Sequence, residues 1–338
     1  MIKNPFFVPF LAAWMVWIAI GCSSKEISTP PIKRTQFLMG ALVEITVPGP
    51  ADKETQAAVN QAFDEIKRIE NLMSSYLPSS EIFLLNNSSG GEFIKVSHEV
   101  IKVIREGIKW GEASGGAFDI TIGPVVKLWD FDGSHKKVPD LKLLGEAVAL
   151  VNFRDILIQD SKVRLARPGM ALDMGGIAKG YAVDRAIEVL KKKGLSGAIV
   201  NAGGDLMAYG EKSPGQPWII GLQHPRKPDK ITISFAGAGQ GVATSGDYQK
   251  YFMLENQRFH HILNPESGMP VRGVISATVV APTVMQADAL ATAAFILGPE
   301  KGIALLDSLE GVEGMWIEEG GERIFTNGFR LQPKFSQR

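Results

Sequence analysis

The 338-residue sequence has a single cysteine and no net charge. One cysteine excludes a disulfide scaffold and any zinc or iron–sulfur site built from several thiolates. Because 36 Lys and Arg are balanced by 36 Asp and Glu, no overall basic field attracts nucleic acid, and no nucleic-acid partner is expected. The motifs G-x-x-x-x-G-K-[ST], G-x-G-x-x-G, G-x-S-x-G and H-E-x-x-H are also absent. Their absence argues against a P-loop enzyme, a Rossmann dehydrogenase, a serine hydrolase and a zincin.

An apolar segment near the amino terminus predicts an export signal followed by a lipid anchor. Residues 6–20 are uncharged, and such a run suits a signal peptide but is shorter than the roughly 20 residues of a membrane-spanning helix. The pattern around Cys22 resembles a bacterial lipoprotein cleavage site, so residues 1–21 are predicted to be removed and Cys22 to be acylated. An uncleaved membrane anchor is the alternative. Residues 22–36 are then expected to be a tether on the extracytoplasmic (periplasmic) face of a bacterial cell membrane.

The apolar pattern of the remaining chain predicts a mixture of strands and helices. The main predicted elements are a strand at residues 37–47, helices at 51–73 and 181–193, a strand at 276–281 and a helix at 286–297. Because strands and helices do not alternate regularly, we predict an α+β fold rather than a doubly wound sheet. Residues 37–330 are expected to form one domain.

A glycine-rich turn before the 181–193 helix could bind a phosphate group. Residues 173–180 contain two adjacent glycines and Lys179. Free backbone N–H groups at a helix N-terminus, together with a lysine charge, suit phosphate or pyrophosphate. The alternative is a plain strand-to-helix turn with a solvated lysine, which this motif alone slightly favours because glycine-rich turns are common.

Asp288 and Thr292 are spaced to share one face of an apolar helix. A buried carboxylate needs a cation, because an unpaired buried charge costs several kcal/mol. A carboxylate, a hydroxyl and backbone carbonyls form an oxygen-only set that suits Mg²⁺. The alternative, an Asp near the start of the helix that interacts with the helix dipole, is equally compatible with the sequence.

Three further polar stretches could contribute to a site. His260 and His261 are adjacent, and in an extended segment they point to opposite faces, so at most one is expected to face a site as a general base. The other is expected to be a buried, hydrogen-bonded histidine. Residues 244–248 and 201–205 could be substrate-lining loops or plain turns.

Seven motifs in a fixed order carry a resemblance to a known family. They are Met39-Gly40 and residues 117–124, 173–180, 201–205, 243–247, 260–265 and 287–292. In this order the sequence resembles the ApbE family of FAD:protein FMN transferases, over about residues 37–329.

The resemblance implies a reaction and a fold. The family cuts FAD at its pyrophosphate in a Mg²⁺-dependent reaction, passes FMN to a Ser or Thr hydroxyl of an acceptor flavoprotein as a phosphodiester, and releases AMP. Acceptors are typically subunits of membrane redox pumps. The implied fold is α+β, T-fold-like and two-lobed, with the flavin in a cleft between the lobes. The alternatives left open are an FAD pyrophosphatase and a non-catalytic flavin-binding lipoprotein.

The resemblance also implies roles for individual residues. FAD contacts are implied for Met39, Tyr76, Ala117, Phe118, Asp119, Asp173, Lys179 and Ile262. Metal ligands are implied to be the Gly176 carbonyl, the Asp288 carboxylate and the Thr292 hydroxyl, with Ala291 a further candidate through its backbone. Asp288 is thereby a catalytic residue, and His261 is implied to assist proton removal from the acceptor hydroxyl.

Overall fold

The structure is a computed structural model that describes residues 31–131, 136–237 and 239–331, without the side chains of residues 330 and 331. The predicted signal peptide, Cys22 and most of the predicted tether lie outside these ranges. The helices are α1 (Lys53–Met73), α2 (Glu81–Asn87), α3 (His98–Ala113), α4 (Gly123–Val126), α5 (Leu141–Val148), α6 (Ala178–Lys192), α7 (Val284–Asp307) and α8 (Asn327–Leu331). A 3₁₀ turn covers Phe153–Asp155.

The strands are β1 (Ile32–Leu38), β2 (Ala41–Val47), β3 (Ile94–Lys95), β4 (Ile156–Gln159), β5 (Lys162–Leu165), β6 (Ala198–Ala202), β7 (Asp205–Tyr209), β8 (Glu211–Ser213), β9 (Gln216–Pro217), β10 (Ile219–His224), β11 (Lys227–Ala236), β12 (Gly241–Gly246), β13 (Tyr251–Leu254), β14 (Gln257–His260), β15 (Val274–Ala281), β16 (Glu313–Glu318) and β17 (Arg323–Phe325).

An eight-stranded antiparallel sheet forms the centre of the fold, in the order β1-β2-β6-β7-β12-β15-β16-β17. Smaller sheets are built from β3-β5-β4, β10-β11, β13-β14 and β8-β9. The predicted α+β class is confirmed. The antiparallel order explains why the sequence shows no regular alternation of strands with helices.

Helices α1, α6 and α7 form a layer in which α6 contacts both other helices and α7 packs on β12 and β15. Helices α1 and α7 begin where side chains provide partners for their free N–H groups. Asp52 caps α1 through the Thr55 N–H, and both oxygens of Asp184 in α6 accept from the first N–H groups of α7, at 2.9 and 3.0 Å. Asp184 thus ties α6 to the start of α7.

The central strands are buried on both faces of the sheet. All five residues of β7 are buried, because Met207 and Tyr209 face the main core with the helices, whereas Leu206 and Ala208 face a second cluster with the β10–β11 hairpin. Side chains of a strand alternate between faces, so a strand covered on both sides has a continuous apolar run. A third cluster includes Trp129, Leu144 and Leu263 and lies beside the cleft described below.

The amino-terminal strand predicted at residues 37–47 is wrong in one respect. Two strands, β1 and β2, replace it, and Met39-Gly40 is the turn of their hairpin rather than part of a strand. Both turn residues have positive φ, 54° and 70°, as the common two-residue hairpin turn requires. Because β1 begins at Ile32, the stretch expected as a tether up to residue 36 already belongs to the sheet at its end.

Several other elements differ from the predictions in their ends. Helix α6 begins at Ala178, three residues earlier than predicted, and α7 continues past Gly298 to Asp307. Gly298 has φ 72° and ψ 178°, so two helical segments meet there at a kink instead of ending. Residues 244–246, expected in a loop or turn, lie in the central strand β12. The polar side chains of these residues resemble those of a loop because this part of the strand borders the cleft.

Helix α7 is, among the described residues, the one helix that is long and apolar enough by composition to cross a membrane. It packs on β12, β15, β16 and α6, and its residues Ala287, Leu290 and Phe295 are fully buried. These contacts make it the core helix of the domain, which explains its apolar composition.

Candidate active site

A cleft of about 710 Å³ gathers almost all the residues that the sequence indicated. Those that line it are Met39, Tyr76, Ala117, Phe118, Asp119, Asp173, Gly176, Lys179, His261, Ile262, Asp288 and Thr292. Ala291 does not line the cleft and is fully buried in the core. One wall belongs to the helices and the central sheet, and the other includes Trp129 and Leu263 of the third cluster.

Three charged groups meet at the inner end of the cleft. The ammonium of Lys179 forms a close ion pair with Asp205 Oδ2, and it lies 3.7 Å from Asp288 Oδ1. The second oxygen of Asp288 accepts the N–H of Gly180 at 3.0 Å. The Asp205 and Asp288 side chains are only 4% and 6% exposed, whereas Lys179 is 26% exposed. The two carboxylates are therefore largely shielded from bulk water, although all three side chains border the cleft.

Burial governs the proton affinity of these groups. It raises the pKa of Asp288 to about 7, assisted by the charge of Asp205 and opposed by Lys179. It also raises the pKa of Asp205, against the attraction of Lys179. Burial alone would lower the pKa of Lys179, but the two carboxylates outweigh it and raise that pKa above its usual value. Lys179 is therefore charged at neutral pH, and Asp288 gains from a further cation.

Oxygen donors surround Asp288 on the cleft side. Thr292 Oγ1 lies 3.3 Å from Ser245 Oγ, and it donates a hydrogen bond to the Asp288 carbonyl at 3.3 Å. A Cβ placed on Gly176 would lie 3.2 Å from Thr292 Oγ1, so the glycine lets the turn approach α7 closely. Carboxylate, hydroxyl and nearby backbone oxygens match the ligands that Mg²⁺ takes. Within the described residues no group of three or more His, Cys, Asp or Glu side chains could hold a metal, so such a site would depend on these other oxygens.

The glycine-rich turn is shaped by its own first residue. Asp173 Oδ1 accepts the N–H of Gly175 at 2.8 Å, and burial raises the pKa of the Asp173 carboxyl. Helix α6 follows from Ala178 with no side-chain cap at its N-terminus. One of its early N–H groups, that of Gly180, binds Asp288. The turn therefore contributes both to the cleft and to the attachment of α6 to α7.

Aromatic and apolar side chains line the outer part of the cleft. Tyr76, in the loop after α1, is 78% exposed, and Phe118 and Trp129 contribute two further rings. The Met39 N–H donates to Glu70 Oε1 at 2.9 Å, which fastens the β1–β2 turn to α1. Planar rings at a cleft edge can stack on a flat heterocycle.

Asp119 lines the cleft, but its carboxylate is used inside the protein. Its oxygens accept from the Thr121 N–H and hydroxyl at 2.8 and 2.6 Å, and from the Phe153 N–H at 3.0 Å. Burial raises the pKa of this carboxyl. A ligand would therefore meet the backbone of residues 117–119 rather than the Asp119 charge.

The two adjacent histidines separate as the extended pattern predicted. His260 is buried, its Nε2 lies 2.8 Å from the Val271 carbonyl, and its ring packs edge-on against Phe295. His261 lines the cleft. Burial, with a smaller contribution from His260, lowers the pKa of His261 to about 4. His261 is therefore a neutral imidazole at neutral pH and can accept a proton.

Sequence reasoning missed some residues that line the cleft. They are Glu70, Asp205, Ser245 and Lys250. Asp205 and Ser245 lie in the stretches 201–205 and 244–248, which the sequence leaves open as substrate-lining loops or plain turns, because no local signal distinguishes their side chains from those of ordinary turn residues. Glu70 lies in α1, where an exposed acidic residue is the usual expectation.

Comparison with known proteins agrees with this geometry. The chain is 33% identical over 281 residues to a FAD:protein FMN transferase of Klebsiella pneumoniae (strain 342), covering 82% of this chain and 87% of the relative. It is 32% identical over 303 residues to a FAD:protein FMN transferase of Treponema pallidum (strain Nichols), covering 84% and 83%. The crystal structure of an ApbE protein from Thermotoga maritima superposes with a TM-score of 0.82 at 32% identity, covering 90% of this chain and 99% of that one. The model of the ApbE family matches residues 39–316, and the chain therefore belongs to the ApbE family.

Proposed function

We propose that this protein is a FAD:protein FMN transferase that moves FMN from FAD to a Ser or Thr hydroxyl of an acceptor flavoprotein and releases AMP. The observation that carries the proposal is the meeting of Lys179, Asp288 and Thr292 with the glycine turn at one end of a cleft whose outer part is aromatic. Such a cleft offers positive charge and oxygen ligands to a diphosphate and rings to a flavin. The names of the relatives support the same reaction.

We propose Mg²⁺ as the cofactor, because the donor set fits a hard cation. Asp288, Thr292 and the Gly176 carbonyl would hold it, since all three residues line the same cleft and the Gly176 turn approaches Thr292 closely. When bound, the ion would neutralise the diphosphate and stabilise the charge that develops on the leaving phosphate. Ala291 stays a candidate through its backbone only.

The chain's own residues account for the rest of the reaction. Lys179 presents a fixed positive charge to the diphosphate, and the rings of Tyr76 and Phe118 hold the flavin. Neutral His261 accepts the proton of the acceptor hydroxyl, whose oxygen forms a bond to the FMN phosphorus. The bond from that phosphorus to the oxygen of AMP breaks, and AMP leaves. Met39, Asp173 and Ile262 line the same cleft and bind FAD in this proposal.

Intact-mass measurement of an acceptor tests the transfer. The full protein is incubated with FAD, MgCl₂ and an acceptor that carries a flavinylation sequence, and the acceptor should gain the mass of an FMN phosphodiester. Asp288→Ala should lower the rate by about two orders of magnitude or more, since metal and charge stabilisation contribute several kcal/mol. Asp229→Ala, at an exposed position of β11, is the matched control and should keep the rate.

The other outcomes of the same experiment identify the alternatives. Free FMN and AMP with an unmodified acceptor would mean that the protein is a pyrophosphatase. Bound FAD without any product would mean that it only stores flavin.

We also propose that the protein is a lipoprotein anchored through Cys22 on the extracytoplasmic side of a bacterial membrane, where its acceptors are subunits of membrane redox pumps. The apolar run at residues 6–20 directly before the only cysteine supports this. Expressed in bacteria, the full chain should fractionate with membranes, and Cys22→Ala should release it or leave its precursor uncleaved. An unmodified amino-terminal peptide containing Cys22 would contradict the anchor.

A further inference from the structure

Asp205 is the one member of the buried charge cluster to which the proposed reaction gives no role. It is the first residue of β7, directly after the Gly203-Gly204 turn, and it is buried. The side chain of Asn201 accepts the Gly204 N–H at 2.9 Å, which fixes the turn that leads into Asp205. Its carboxylate is therefore held rigidly beside the end of Lys179.

The Lys179 ammonium is shared unequally between two carboxylates. It is in close contact with Asp205, whereas 3.7 Å separates it from Asp288. When both buried carboxylates are ionised, the single ammonium leaves one negative charge in excess. Because an uncompensated buried charge is costly, the cluster favours one more cation, and the looser partner Asp288 faces the cleft where that cation can arrive.

We propose that Asp205 is a positioning residue that keeps the Lys179 ammonium away from Asp288, so that the Asp288 carboxylate stays available to a divalent cation. This inference rests on the proposed cation site at Asp288.

The geometry gives the reason for such a residue. Lys179 is long and flexible, and both carboxylates are within its reach. Without the charge of Asp205, Asp288 would be its only remaining carboxylate in this cluster, and the ammonium would close the 3.7 Å gap. The lysine would then occupy the carboxylate as an internal cation and compete with the metal. Asp205 prevents this while leaving Lys179 exposed enough to meet a diphosphate.

A double-mutant cycle on metal binding tests the inference without use of the enzymatic reaction. Mn²⁺ binding to the full protein, without nucleotide, is measured by electron paramagnetic resonance for the unmutated protein, Asp205→Asn, Lys179→Met and the double variant. Simple attraction and repulsion predict that Lys179→Met tightens Mn²⁺ binding by the same factor in both backgrounds. Competition by a released lysine predicts a much larger factor where Asp205 is absent.

The expected result is that Asp205→Asn weakens Mn²⁺ binding by about tenfold or more, and that Lys179→Met restores it at least tenfold more in that background than in the unmutated protein. Equal factors in both backgrounds, or unchanged binding in Asp205→Asn, would overturn the role of Asp205 while leaving the proposed function intact. No saturable Mn²⁺ binding to the unmutated protein would instead remove the cation site, and the inference with it.

Two comparisons keep the test decisive. Thermal melting of every variant distinguishes loss of the cation site from loss of the fold. If the Asp205→Asn variant does not fold, Asp205→Ser takes its place. Asp205→Glu retains the charge, so it should bind Mn²⁺ more tightly than Asp205→Asn. If the Glu variant binds as weakly as the Asn variant, charge at this position is not what keeps Asp288 available.

Discussion

His261 shows, at the scale of a single residue, how burial sets the pKa of a side chain. Its neighbours in the chain give no hint of its protonation state, because the adjacent histidine has the same side chain and a different environment. Loss of water contact lowers the pKa of His261 to about 4, so the imidazole is neutral well below neutral pH. A neutral ring next to a lysine charge can accept a proton from an incoming hydroxyl.

We expect the His261 ring to remain neutral at pH 6. Nuclear magnetic resonance of histidine-labelled protein should show a ring signal that is lost in His261→Gln and that does not shift between pH 8 and about 5 in the unmutated protein. The sign follows from the lowered pKa, since protonation begins only as the pH falls toward about 4. A His261 signal that titrates near 6.5, the ordinary value for the side chain, would contradict the role of burial.

At the scale of secondary-structure elements, the contact between α6 and α7 brings the residues of the site together. Gly180 allows this contact, because a Cβ there would lie 2.4 Å from the Val284 carbonyl oxygen. The same residue donates its N–H to Asp288, and Asp184 one turn later binds the first N–H groups of α7. Helices α6 and α7 are thus held together by these three hydrogen bonds and by the close approach at Gly180.

Gly180→Ala should lower the free energy of unfolding by about 3 kcal/mol, because backbone atoms of α7 cannot move aside as a flexible side chain can. Gly145→Ala is the matched control. Gly145 is an exposed helix residue with no atom near its Cβ position, and alanine there should be neutral or stabilising by up to about 1 kcal/mol. Urea denaturation measures both variants. Equal stability of the two would show that the helices are not in the close contact described.

The cleft is a property of the whole molecule, because its two walls belong to different hydrophobic clusters. Trp129 holds together the segments that form the cleft wall of the third cluster. Its ring stacks on Phe131 and Phe259, with centroids 5.4 and 6.0 Å apart, and its Nε1 donates to the Gly268 carbonyl at 3.0 Å. Residues far apart in sequence are thereby packed into a single surface of the cleft.

Trp129→Ala should lower the free energy of unfolding by about 3–5 kcal/mol and weaken FAD binding, because it leaves a cavity beneath the outer wall. Trp129→Phe retains a stacked ring but loses the hydrogen bond and part of the buried indole volume, so its cost should be smaller, about 2 kcal/mol. Chemical denaturation and quenching of flavin fluorescence measure the two effects. Unchanged FAD affinity in Trp129→Ala would separate this cluster from the binding cleft.

Local chemistry made much of the fold predictable. Helix α1 matches its apolar spacing, and β15 covers the strand predicted at residues 276–281. The β1–β2 hairpin was missed because Met39, a non-glycine residue, occupies a positive-φ position that sequence statistics assign to glycine or asparagine. Residues 244–246 were missed because polar side chains in a central strand resemble a loop unless the cleft beside them is known.

The sequence by itself determined the helices, the glycine turn and the ordered motifs of the ApbE family, since capping, spacing and turn formation act over a few neighbouring residues. Only the tertiary structure decided that Lys179 lies between Asp205 and Asp288. Asp205 is 26 positions from Lys179, and Asp288 is 108 positions from Gly180. Antiparallel strand order and the packing of α6 on α7 bring these residues together, and burial there changes their proton affinities in a way that no local pattern encodes.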